Sequence, residues 1–212
     1  MILTGQIDNF LTETELDNLI QVMSKVQPVT SRNNLCHGID HKHILHKWFV
    51  DNCFERVQKV FGSDCKLMFG MYMIENQPWQ VHHDAYHCNP ALGQQPFMSM
   101  IIPCSVDFKK ELCHLSHTIV FEESRLDFDI FDADSVQQRI KDSRFIPDYY
   151  QQHLSHNDVK VIQSLSVKQI FPWQRGSLIY WHSDLYHDSD NFIKNGFASK
   201  QAIVIHTYKL AT

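Results

Sequence analysis

The chain has 212 residues, 43% hydrophobic and 20% charged, with a net charge of −5 at pH 7. Those proportions are those of a globular domain with a buried core and argue against extensive disorder. The acidic balance, without any run of Lys and Arg, argues against a surface that binds nucleic acid by neutralising phosphates.

The length suits one domain, 1–212, carrying an insertion. The opening MILTGQIDNFL lacks a basic region followed by a long apolar one, so no secretory signal is expected. No stretch approaches the eighteen apolar residues of a membrane span. The six cysteines, Cys36, Cys53, Cys65, Cys88, Cys104 and Cys113, form no CxxC pair. Reduced thiols in a cytoplasmic protein are the expectation.

In chain order, LTETELDNLIQVMSKV predicts a helix. Thr12 or Thr14 caps it, acids fill its first turn, and Leu16, Leu19, Ile20 and Met23 form one apolar face before Pro28 stops it. SRNNLCHGIDHKHILHK follows as a polar loop leading into a helix; His37, His41, His43 and His46 lack a cysteine or acid at structural-zinc spacing. WFVDNCFERVQKVFG predicts a second helix, with Phe49, Cys53, Val57 and Val60 or Phe61 on one stripe and Gly62 past its end.

From KLMFGMYMIEN onward the pattern is that of strands, continued by QPFMSMIIPCSVD, HTIVFEE, the alternating VKVIQSLSVKQIF, GSLIYWHSDLYH and SKQAIVIHTYKL. Residues 122–158 interrupt the series with a polar, acidic insertion able to fold over a site's mouth. Ser135-x-x-Gln138 opens a helix within it. Asp127, Asp129, Asp132 and Asp134 lack the glycine and terminal glutamate of a calcium loop. Two helices followed by many short strands predict an α+β, mainly β fold closing as a sandwich or barrel.

Two of the stretches rich in the chain's 14 histidines carry the chemistry: WQVHHDAYH and RGSLIYWHSDLYHDSDNF. On an extended strand His82 and Asp84 share a face while His83 points away. The strand Ser177 to Trp181 runs into a turn bearing His182, Asp184 and His187. A further histidine beside His82 and Asp84 completes a two-histidine, one-carboxylate face, which leaves the other positions of iron(II) open. The rival pair His182-x-Asp184, completed by His206, leaves too little chain after it for a core. His206 is read as packed, and His83 and His87 as supporting or surface residues. Cys88 has no partner base that would make it a nucleophile. The HExxH arrangement of a zinc hydrolase is absent.

These residues resemble the iron(II)/2-oxoglutarate-dependent dioxygenases. Gly176-Ser-Leu-Ile-Tyr-Trp-His-Ser-Asp-Leu-Tyr-His187, then Asn191, then Lys200-Gln-Ala-Ile-Val-Ile, is similar to the phytanoyl-CoA hydroxylase-like branch. The opening IDNFLTETELDNLI resembles the prolyl-4-hydroxylase-like branch. The resemblance implies a double-stranded β-helix (a cupin-like jelly roll) with N-terminal helices packed on one sheet. It implies iron ligated by His82, Asp84 and His187, with 2-oxoglutarate and O2 as co-substrates. Lys200 would pair with the distal carboxylate of 2-oxoglutarate, where the phytanoyl branch usually has arginine. A lysine is a point charge without arginine's bidentate fork, so a hydroxyl partner is expected, with Tyr72 in that place and Arg175 as the alternative anchor. The implied reaction is hydroxylation of a small molecule or a peptide, contacted by Tyr86, with release of succinate and CO2. A non-catalytic cupin-like binding protein is the alternative.

Overall fold

The computed structural model describes residues 3–23, 29–31, 34–38, 49–127, 129–140 and 147–211. The backbone alone is described for 23, 29–31, 34–38 and 147. Strand β1 (Thr4–Ile7) leads into helix α1 (Glu13–Met23). Thr12 caps it: its hydroxyl accepts from the Glu15 amide at 3.3 Å while Glu15 accepts from the Thr12 amide at 2.8 Å, a reciprocal capping box. Leu16 and Leu19 are fully buried, each contributing about 2 kcal/mol of apolar burial.

Part of the polar stretch read as a loop is strand: β2 (Val29–Ser31) and β3 (Asn34–Gly38) form a hairpin on the edge of a sheet. His41, His43 and His46 lie outside the described residues. A π-helical turn, Val50–Phe54, then runs into α2 (Glu55–Phe61). Phe49, Cys53 and Val57 are buried there, and of the two candidates for the next stripe position Phe61 packs inward while Val60 is exposed.

The remaining strands are β4 (Lys66–Glu75), β5 (Gln94–Val106), β6 (His117–Ser124), β7 (Val167–Pro172), β8 (Leu178–His182), β9 (Leu185–Ser189) and β10 (Lys200–Leu210). Among the described residues they make two sheets with antiparallel pairing throughout. The major sheet runs β1-β8-β5-β10-β4-β3-β2 and the minor sheet β7-β6-β9, a jelly-roll arrangement. His187 therefore stands on strand β9, not in a turn, because β8 reverses within Ser183 and Asp184.

Side-chain alternation divides the major sheet's two faces. Tyr72, Met98, Met100, Ile102, Cys104, Ile203 and Ile205 pack with Leu16, Leu19, Cys53 and Val57 of the helical layer. The other face, with Ile101, Ile179, Trp181 and Ala202, meets Val120, Phe171 and Leu185 of the minor sheet. Gly176 ties the helical layer to β8: its φ of 76° suits glycine, and its carbonyl accepts from the Leu11 amide at 2.9 Å.

The insertion occupies the gap between β6 and β7 and covers the minor sheet's outer face. It contains α3 (Ala133–Ile140), the helical segment Pro147–Tyr149 continuing as a π-helical turn Tyr150–Leu154, and α4 (Val159–Gln163). Asp132, not Ser135, caps α3, since Ser135 donates its amide and hydroxyl to the Asp132 carboxylate. The alternating run VKVIQSLSVKQIF divides into helix α4 and strand β7, because Asp158 caps a helix by accepting from the Lys160 amide. Ile130, Tyr150, Leu154, Ile162 and Leu165 pack on Ile119, Phe121 and Tyr186.

Arg56 of α2 clasps Glu15 of α1 at 2.5 Å and donates to the Phe10 carbonyl at 2.6 Å. The guanidinium holds the Glu15 carboxyl down at about 2, against an ordinary value of 4.5. A depressed carboxyl stabilises the fold above its unfolded-state value, and that stabilisation disappears as pH falls through the folded one. Glu15→Gln should thus cost about 1 kcal/mol at pH 7, the pair being partly exposed. The deficit against wild type, read from urea unfolding, should shrink as pH falls from 4.5 toward 2.

Candidate metal centre

The fold brings His82, Asp84 and His187 together, each offering a ligand atom within 4.8 Å of the others. Backbone pairing sets the distance. His82 and His187 exchange both amide–carbonyl bonds, at 3.1 and 2.9 Å, as an isolated antiparallel bridge. Beyond that bridge the chain is not a regular strand. Asp84 donates its amide to the Ser183 carbonyl at 3.0 Å and leads directly into a tight helical turn, Ala85–His87. His187 Nε2 lies 3.3 Å and His82 Nε2 3.6 Å from the Asp84 carboxylate.

Asp84 is buried, and its Oδ2 makes no hydrogen bond among the described residues. A buried carboxylate oxygen left unpaired is costly and is satisfied by a cation. Burial opposes the charge on Asp84, but His187, His206, His82 and Ser99 hold it well below the usual carboxylate range. Burial pushes His187 down to about 3, which keeps its imidazole neutral and able to ligate at neutral pH. One carboxylate with two neutral imidazoles fits a divalent transition metal with coordination positions to spare.

The three residues line a cavity of about 330 Å³ between the sheets, with Met71, Met73, Ile101, Trp181 and Val204 as apolar walls. Lys200 lines it as well, fully buried at the start of β10. Its ammonium lies 3.2 Å from Glu75 and 3.6 Å from Asp190, over the Trp173 ring at 4.3 Å. Glu75 is its register partner across β4 and β10, which puts both side chains on the cavity face. Burial pushes the Glu75 carboxyl up, toward its protonated form.

Tyr72 does not join them. It pairs with Ile203 and faces the helical layer, on the opposite side of the sheet from the cavity. Arg175 also lies outside, donating to the Cys104 carbonyl and pairing with Glu13 and Asp17 on α1. The rival pair His182 and Asp184 is engaged elsewhere, since Arg125 grips Asp184 at 2.5 Å. His206, read from the sequence as packed, is a wall of the cavity with Nδ1 3.5 Å from Asp84 Oδ2. His87 lines the cavity with it, their rings 5.0 Å apart.

The insertion also reaches the residues that flank the cluster. The Asn157 carbonyl oxygen Oδ1 accepts from the Val81 amide at 2.7 Å, and its Nδ2 donates to Asp188 Oδ2 at 2.6 Å. His156 Nε2 sits 3.2 Å from Asp188 Oδ1. One asparagine thus braces the residue before His82 and the residue after His187. No sequence motif marks it.

No family model and no curated protein matches the sequence. Solved structures do match. The carbocyclase SnoK of nogalamycin biosynthesis, a non-heme alpha-ketoglutarate-dependent enzyme, superposes with a TM-score of 0.60 at 12% identity, over 97% of this chain and 79% of its own. HygX from Streptomyces hygroscopicus, solved with nickel, 2-oxoglutarate and hygromycin B bound, gives 0.60 at 9% identity, over 97% and 82%. The fold is that of the iron(II)/2-oxoglutarate oxygenases. A prolyl-4-hydroxylase from Pseudomonas putida shares it at a TM-score of 0.51 and 9% identity, over 99% of this chain and 93% of its own.

Asn157→Ala removes the brace without touching the cluster. Residues that orient metal ligands are typically worth about 10- to 100-fold in metal affinity. A loss of that size for Fe(II), measured by chelator competition, is the expected outcome.

Proposed function

We propose that the protein is an iron(II)- and 2-oxoglutarate-dependent oxygenase that hydroxylates a small molecule and releases succinate and CO2. The observation that carries this reading is that His82, Asp84 and His187 share one cavity between the sheets with a buried lysine. Iron held by these three residues would supply oxygen activation coupled to decarboxylation of the keto acid. The protein's part is to hold the ligands, orient the co-substrate and keep water out. Met71, Met73, Trp181 and Val204 exclude water, and Lys200 attracts the distal carboxylate.

Lys200 as it stands carries two carboxylates for one positive charge. A third would be repelled unless Glu75 binds a proton, and burial already drives Glu75 that way. Protonated Glu75 then takes the hydroxyl-donor part expected of Tyr72. Co-substrate binding on this reading takes up a proton. The dissociation constant for 2-oxoglutarate should rise with pH above the ionisation of Glu75, by up to about tenfold per pH unit. In Glu75→Gln the affinity should be at least that of wild type and flat with pH, as read by calorimetry in two buffers.

The cavity opens into a wider cleft lined by Trp79, His83, Tyr86, Phe131 and Ile193. An aromatic, cation-poor cleft of this kind suits an uncharged or ring-bearing small molecule over an anionic thioester. Burial raises the Cys53 and Cys113 thiols to about 12, and the five cysteines with described side chains are free, which fits a reducing compartment such as the cytoplasm.

The direct test is anaerobic addition of Fe(II) and 2-oxoglutarate. A visible charge-transfer band and, on aeration, succinate formation are expected. His187→Ala and Asp84→Ala should abolish both; turnover in both variants refutes the ligand assignment. Binding of 2-oxoglutarate with no succinate under any condition favours a non-catalytic cupin-like protein.

A further inference from the structure

We propose that His117, His153 and Asp190 form a second metal site, suited to zinc(II), that fastens the insertion to the minor sheet. It shares no residue with the iron ligands and does not depend on their assignment. His117 opens β6, Asp190 follows β9, and His153 comes from the π-helical turn Tyr150–Leu154 of the insertion. Each offers a ligand atom within 4.8 Å of the other two.

Unspent bonding capacity converges there. Asp190 is fully buried. Its Oδ1 accepts from the Ser116 hydroxyl at 2.7 Å and faces Lys200, while its buried Oδ2 has no hydrogen-bond partner among the described residues. His117 Nδ1 and His153 Nδ1 are likewise buried and unpartnered among them. His117 Nδ1 stands 3.9 Å from Asp190 Oδ2, too far for a hydrogen bond. Two ligands of one tetrahedral ion with bonds of about 2.0–2.2 Å stand about 3.3–3.6 Å apart, so the pair has to close by only a few tenths of an ångström to share one. The His117 and His153 rings are 5.4 Å apart and nearly perpendicular, and Tyr149 stacks on His153 at 4.7 Å.

Two imidazoles and one carboxylate, without sulfur, are ligands that zinc(II) and cobalt(II) accept in tetrahedral geometry, the fourth place going to water. Burial lowers the His153 ring's affinity for protons, leaving it in the ligating form.

Such an ion would crosslink the insertion to both neighbouring strands. It would add to ties already next to it: the Asn191 amide donates to the His153 carbonyl at 2.7 Å, and its Nδ2 to the Ser155 hydroxyl at 3.2 Å.

The test is zinc stoichiometry of the full chain, stripped of metal, loaded with zinc chloride, desalted and measured by mass spectrometry. Wild type should hold two equivalents, and Asp84→Ala, His153→Gln and His117→Gln one each. In the Asp84→Ala background, His153→Gln should weaken the remaining zinc binding by about 100-fold or more, no less than loss of an outer-shell partner costs. Zinc should also slow amide exchange of residues 150–154 in Asp84→Ala, a readout that needs no variant of the second site to fold. One equivalent in wild type, kept in both histidine variants and lost in Asp84→Ala, overturns the proposal, as does unchanged exchange. If the iron assignment alone is wrong, Asp84→Ala keeps the wild-type count while His153→Gln still loses one.

Discussion

Two backbone hydrogen bonds between His82 and His187 underlie the whole site. They join a loop segment to the edge strand β9 of the minor sheet, and residues exchanging both bonds have Cα atoms about 5.5 Å apart. The imidazoles are therefore brought together by main chain, whose geometry is stiffer than that of any side-chain contact. Asp84 is positioned in the same manner, through its amide on Ser183. The proposed donor set is thus assembled by the fold itself, which would leave little ordering entropy to oppose binding of an ion.

The second constraint is alternation. Each strand of the major sheet sends one set of side chains to the helices and the other to the space between sheets. Lys200, Glu75, Met73 and His206 fall on the inner set, and Tyr72, Ile203 and Ile205 on the outer. The inner set is unusually ionic for a sandwich core. Its charges are tolerated because they are paired across register positions and rimmed by aromatic rings, Trp173 and Phe192 flanking the ammonium.

The features legible in the sequence were those with local periodicity. The capped helix α1, the long strands β4, β5 and β10, and the H-x-D pair could be read from spacing, whereas the choice of His187 as its distant partner came from the family resemblance. Tyr72 was misplaced because its facing depends on the β4–β10 register, Tyr72 against Ile203, which no single strand encodes. The hairpin β2–β3 was hidden in a polar, histidine-rich stretch without alternation. Helix α4 was masked by the spacing of Val159 and Val161, which mimics a strand until Asp158 is recognised as its cap. His156, Asn157 and His206 act through contacts far along the chain. Nothing in their immediate neighbours distinguishes them from ordinary polar residues.

Because Asn157 reaches both the Val81 amide and Asp188, the inserted segment is a structural part of the frame around His82 and His187. Exchanging that segment for another, the obvious route to a new specificity under the proposed function, would loosen that frame. Redesign is thereby channelled toward the rim at Tyr86, Phe131 and Ile193, where side chains can be exchanged without disturbing the frame.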